Sequence, residues 1–283
     1  MSVPYYGLMC LYCGIWYNQL ESMNIAKRLA IYEDKGFSRE RAEINVLMEA
    51  AAVAIFRDFP DAFVLFGGAT LVLYHDSVRH SADLDLLWRG SEAPSREDVA
   101  ACLKGDLSPL AEVLGMRLLA LEFQNLADRE ARIYVNATGR QLFRVDLTRL
   151  GSAIESEVES HPVDSEGHGS AVIKCVTKDL LLLQKAEAFL LRRSVRARDA
   201  YDVHFLGERD ANLSPYLRAH LEDSIRMNEI DSEAISTRIS KIDGKLCFLE
   251  LKAILPADVY GALEDSGFEP LRESLKELYE EWL

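Results

Sequence analysis

The chain has 283 residues, 49% of them hydrophobic, and a formal net charge of −14. That length exceeds a usual single domain and the apolar content is ample for a core, so one catalytic domain with a companion is expected. The charge opposes long-range attraction to nucleic-acid phosphates, so a nucleic-acid partner would need a local basic patch, whereas small cations would be drawn in.

Five cysteines, an odd number and scattered apart from Cys10 and Cys13, do not form the framework of a small secreted domain. The cytoplasm is the expected compartment. Cys10 and Cys13 resemble half of a zinc site, but no second Cys or His pair follows at finger-like spacing, and two buried or semi-buried thiols are the plainer expectation. The segment Met1 to Ser22 lacks the basic start of a signal peptide and the length of a membrane span, so no membrane association is expected. Met23-Asn24-Ile25 resembles an ordinary protein start, which makes residues 1–22 a candidate extension or arm.

From Met23 to Phe59 the apolar positions recur at helical spacing, with Ile44, Leu47, Met48, Ala51, Ala52 and Ile55 on one side, predicting two helices stopped at Pro60. Phe63 to Phe66 is a short apolar run ended by Gly67 and Gly68, as in a buried strand and tight turn, with a helix from Ala69 to about Tyr74. Asp83-Leu84-Asp85-Leu86-Leu87-Trp88 alternates with period two, placing both aspartates on one strand face. After a loop at Gly90 to Pro94 the pattern predicts a helix to about Leu114. Strands follow at Met116 to Phe123, Arg132 to Asn136 and Leu142 to Leu147, the last two joined by a turn at Thr138-Gly139-Arg140. Gly151 to Ser170 is polar and carries Pro162, Gly167 and Gly169, as a connection would. Beyond it Thr177 caps a helix from Leu180 to Arg192, and further helices are expected at Ala197 to Phe205, Pro215 to Met227, Ser232 to Ile239 and Leu271 to Leu283. The expected fold class is α+β: a mixed sheet flanked by helices over residues 23–170, then a predominantly helical C-terminal domain over residues 171–283.

Two carboxylates on one strand face want a hard cation. Asp83 and Asp85, with Asp146 on the polar face of its own strand, form a suitable donor set for Mg²⁺, which prefers oxygen ligands and holds reacting phosphate oxygens in line. Gly67 and Gly68 before a helix would expose backbone N–H groups to phosphate, with Thr70 and Ser81 as further hydroxyl donors. Each element also has an ordinary explanation, since Gly-Gly turns and isolated D-x-D pairs are common in acidic chains. His75 and His80 flank the set but are poor Mg²⁺ ligands and are given no catalytic role. Trp88 would either stack on a base or pack in the core. The basic group Arg192, Arg193, Arg196 and Arg198 is either a solvated helix end or a phosphate-binding face.

The order strand, Gly67-Gly68, helix, then Arg79-His80-Ser81-Ala82-Asp83-Leu84-Asp85 resembles the DNA polymerase beta superfamily of nucleotidyltransferases. More narrowly it is similar to the AbiEii/AbiGii toxin family, with its GG-[ST]-A-L followed by R-x-S-x-D-[LI]-D. Here Ala69 and Thr70 are exchanged, moving the hydroxyl one residue along. The family's later block, K-x-x-A-x-x-x-R then R-D-x-x-D, resembles Lys185 to Arg192 and Arg198-Asp199-Ala200-Tyr201-Asp202. The resemblance spans about Phe63 to Phe205. It implies a nucleotidyltransferase enzyme using a nucleoside triphosphate and Mg²⁺, with Lys185 on the triphosphate and Asp199 and Asp202 supporting the cleft or contacting nucleotide and acceptor. It also implies transfer RNA or another RNA as acceptor, and a toxin role alongside an antitoxin or within phage defence. Left beside these are ordinary readings: Lys185 as a solvated lysine, Arg198 with Asp202 as an i,i+4 ion pair, a cationic acceptor such as an aminoglycoside, and a catalytically idle relative.

Overall fold

The computed structural model describes residues 24–89, 94–117, 119–125, 130–149, 157–165 and 169–283. The candidate arm, with Cys10 and Cys13, lies outside the described residues. The chain divides into two compact units, each assembled from separated segments: residues 1–65, 82–150 and 160–174 in the first, and 66–81, 151–159 and 175–283 in the second.

The first unit opens with α1 (24–34) and α2 (Arg39–Asp58). The expected apolar side of α2 is buried, but so are Val46, Ala50, Val53, Ala54 and Phe56 around it. A helix apolar on all sides belongs inside a core, and α2 packs on α4 (Arg96–Val113) and β5 (Arg140–Arg149). Ser95 caps α4 by accepting from the Asp98 amide at 3.0 Å, which satisfies one of the otherwise unpaired first-turn donors.

The mixed sheet runs β3-β4-β5-β2-β1-β7-β6. Its strands are β1 (Phe63–Phe66), β2 (Asp83–Trp88), β3 (Ala120–Asn125), β4 (Glu130–Ala137), β5, β6 (Val158–Ser165) and β7 (Gly169–Val176). β2 and β5 are parallel, while β3-β4 and β4-β5 are antiparallel. The β4-β5 hairpin turns at Thr138 and Gly139, both with positive φ (52° and 78°), the twist that two-residue hairpin loops require. The stretch expected as a connection instead contributes β6 and the first two residues of β7. β6 escapes the alternation test because it is polar and carries Pro162, and it occupies a sheet edge, where a proline's missing donor is tolerated.

In the second unit Gly67 and Gly68 do not form a turn ahead of the helix; α3 spans Gly67–Tyr74 and the glycines are its first turn. The remaining helices are α5 (Lys178–Leu191), α6 (Ala197–Gly207), α7 (Pro215–Met227), α8 (Ser232–Ser240), α9 (Gly244–Glu250), α10 (Ala257–Asp265) and α11 (Glu269–Leu278). Thr177 caps α5 as expected, accepting from the Leu180 amide at 3.3 Å. α9 and α10 were not anticipated, because each is too short to display a helical period of its own. α6 packs on α5, α9 and α11, and the fully buried Tyr279 donates to the Ala186 carbonyl at 2.8 Å while stacking on Phe189.

Candidate active site

In the first unit, strand alternation sorts β2, β4 and β5 into two faces. Leu84, Leu86, Ile133, Val135, Phe143, Val145 and Leu147 are buried. Asp83, Asp85, Arg132, Arg144 and Asp146 occupy the intervening, part-exposed positions. Parallel register sets Asp85 beside Asp146 and Asp83 beside Arg144, while the antiparallel β4-β5 register sets Arg132 beside Asp146.

Arginines hold two of these carboxylates, Asp83 and Asp146, in place. Arg132 grips Asp146 through two bonds, at 2.5 and 2.9 Å. Arg144 bridges two of the aspartates, donating to Asp83 at 2.9 Å and to Asp146 at 3.1 Å. Such forked, charge-assisted contacts fix carboxylate orientation as well as charge. Neither arginine was singled out from sequence. Arg144 had an available signal, two residues before Asp146 on the same strand face; Arg132 is brought in by strand register alone. Three carboxylates on one face are the hard oxygen donors that Mg²⁺ takes, so the residues present fit a divalent cation.

The second unit holds the other candidates. Gly67 has a φ of 75°, a conformation that favours glycine. A Cβ at Gly68 would lie 2.6 Å from Arg79 Nη2 and 2.9 Å from Ser81 Oγ, so this glycine makes room for a guanidinium. Arg79 in turn donates to Asp202 at 2.6 and 3.0 Å, and Lys185 Nζ lies 2.8 Å from the same carboxylate. The expected i,i+4 partner Arg198 is not what holds Asp202, whose side chain is 0% exposed against 6% for Arg79 and 12% for Lys185. Burial alone would raise the Asp202 carboxyl, but Arg79 and Lys185 together outweigh it and hold it below the ordinary range.

Asp199, one helical turn before Asp202, is also buried, and burial wins there: its carboxyl is pushed upward despite the nearby charges of Lys185 and Arg192. Arg192 Nε approaches it at 3.3 Å. Thr70 is fully buried and its hydroxyl has no hydrogen-bond partner among the described residues. Ser81 is buried beside Gly68, and Trp88 is buried as a core residue. Within the basic group, Arg196 pairs with Glu250 at 2.9 Å and Arg193 is exposed.

Residues 51–265 match the family model described as "Nucleotidyl transferase AbiEii toxin, Type IV TA system". The chain belongs to this family. The AbiEii match takes in both the Asp83-Asp85-Asp146 strand face and the Arg79-Asp202-Lys185 core, and it makes the protein a nucleotidyltransferase. Two solved Helicobacter pylori structures share the fold. One, described as a candidate nucleotidyltransferase, is 17% identical with a TM-score of 0.56, over 87% of this chain and 97% of that one. The other, JHP933, is 17% identical with a TM-score of 0.55, over 87% and 94%. No curated protein matches the chain. Among the described residues no helix is long and apolar enough to cross a membrane.

Proposed function

We propose that this AbiEii-family enzyme transfers a nucleoside monophosphate from a nucleoside triphosphate to a hydroxyl of RNA, transfer RNA in particular, as the toxin of a pair whose antitoxin restrains it. The acceptor oxygen bonds to the α-phosphorus, the α–β phosphoanhydride bond breaks, pyrophosphate leaves, and the hydroxyl proton passes to solvent. The observation that carries the chemistry is the in-register pairing of Asp85 with Asp146 beside Asp83 on one strand face.

Asp83, Asp85 and Asp146 would hold Mg²⁺, which when bound would neutralise the triphosphate and align attacking and leaving oxygens. Arg132 and Arg144 orient Asp83 and Asp146 and keep the repulsion among the three carboxylates small. Gly67 and Gly68 offer backbone donors to phosphate at the start of α3. Lys185 has three donors and gives one to Asp202, which leaves the others for the β and γ phosphates. Asp202 acts chiefly by positioning Lys185, and Asp199 sets the charge around it. Thr70 and Ser81, both buried, support the glycine segment from behind.

The net charge of −14 favours a second reading, in which the acceptor is a small polycation such as an aminoglycoside. Incubation with each labelled triphosphate, Mg²⁺ and either total RNA or an aminoglycoside panel separates the two. Label on RNA supports the first reading and label on the drug the second. Label on neither, or transfer that persists in Asp83→Ala and Asp85→Ala, overturns the mechanism.

A further inference from the structure

In the second unit, His75 and Cys175 each approach Glu159 from separate segments. His75 follows the last residue of α3, Glu159 lies near the start of β6, and Cys175 near the end of β7. Glu159 Oε1 stands 3.7 Å from Cys175 Sγ and 3.8 Å from His75 Nε2. A tetrahedral zinc ion with ordinary bond lengths would separate its sulfur and carboxylate ligands by about 3.6 Å, and its imidazole and carboxylate ligands by about 3.4 Å. Glu159 therefore stands close to such an edge distance from each of the other two groups.

The geometry points to a zinc-class cation site formed by His75, Glu159 and Cys175, distinct in ligand chemistry from the all-carboxylate aspartate set. The mixture of imidazole, thiolate and carboxylate selects a borderline-soft ion over Mg²⁺. The His75 amide bonds to the Leu71 carbonyl and its own carbonyl accepts from Arg209 Nε, while Cys175 is fully buried. β6 alternation sets His161 on the same strand face as Glu159. Coordination needs the thiolate, so each ion bound releases the Cys175 proton to solvent. Asp58, Cys102 and Asp106 form another cluster, whose carboxylates Arg57 grips, donating to Asp58 at 2.7 Å and to Asp106 at 2.8 and 2.9 Å.

The test uses the full chain, stripped with chelator and titrated with Co²⁺, then Zn²⁺. The expected result is a thiolate-to-cobalt charge-transfer band and the strong visible bands of four-coordinate cobalt, all bleached by Zn²⁺, saturating at one equivalent in the Asp83→Ala, Asp85→Ala double variant. Cys175→Ser should abolish the charge-transfer band, and His75→Ala or Glu159→Gln should weaken Co²⁺ binding by at least about tenfold. Cys102→Ser and the Asp83→Ala, Asp85→Ala double variant should leave the band intact, so loss of nucleotidyl transfer would not bear on this site. Absence of the band in the parent protein, its survival in Cys175→Ser, or unchanged affinity in both His75→Ala and Glu159→Gln overturns the proposal.

Discussion

Replacing Asp202 by Asn keeps the side chain's shape and removes one buried negative charge. Asp202 receives two bonds from Arg79, at 2.6 and 3.0 Å, and the Lys185 ammonium at 2.8 Å, with all three side chains at 12% exposure or less. The variant leaves two buried cations facing an amide whose NH₂ group repels them. Removing one partner of a buried ion pair costs about 3–5 kcal/mol, and in a chain of this size about 2 °C of melting temperature follows each kcal/mol. Thermal denaturation at pH 7 should therefore show a fall of roughly 6–10 °C. Arg226→Ala is the control, because its pair with Asp223 is 78% and 53% exposed and should move the transition by less than about 1 °C. In a double-mutant cycle, Arg79→Ala combined with Asp202→Ala should cost less than the sum of the singles, since Arg79 and Asp202 are removed together and only Lys185 is left without its carboxylate. An Asp202→Asn protein that melts with the Arg226→Ala control would refute the assignment of Asp202 to a buried charge core.

Asp199→Asn should do the opposite at neutral pH. Its folded carboxyl titrates above the ordinary value, so ionised Asp199 costs stability at pH 7, and that cost fades as pH falls through the folded value and vanishes below the unfolded one. Denaturation across pH 3.5 to 7.5 should show Asn stabilising at the upper end and neutral at the lower, on the order of the reference carboxylate titration range. Asp202 has the reverse linkage: its folded value is depressed, so its contribution is complete above the unfolded value and lost as acid reaches the folded one. Gly68→Ala should destabilise by roughly 1–3 kcal/mol, because the added carbon meets a guanidinium pinned by Asp202, and Gly68→Ala with Arg79→Ala should recover part of that loss in urea titrations. Tyr279→Phe should cost about 1 kcal/mol by chemical denaturation through the lost bond to the Ala186 carbonyl.

The sequence by itself determined the elements with a strong local signal. β1, β2, α2, α5 and α7 have apolar periods or caps that fix their type wherever they end up, and period-two alternation alone puts Asp83 and Asp85 on one face of β2. The family followed from the same order of local motifs. Where the local signal was weak the elements were missed: β6 is polar and interrupted by Pro162, and α9 spans only Gly244–Glu250. Tertiary structure alone decided how charges are matched. Asp85 meets Asp146 through parallel pairing, Arg132 reaches Asp146 through the register of β4 on β5, and Arg79 meets Asp202 across 123 positions. The physical reason is that pairing partners are chosen by packing and strand register, which no local period encodes. The aspartates were therefore visible as donors from the sequence, while the arginines that hold them, and the buried carboxylate that holds Lys185, became visible only once the chain was folded.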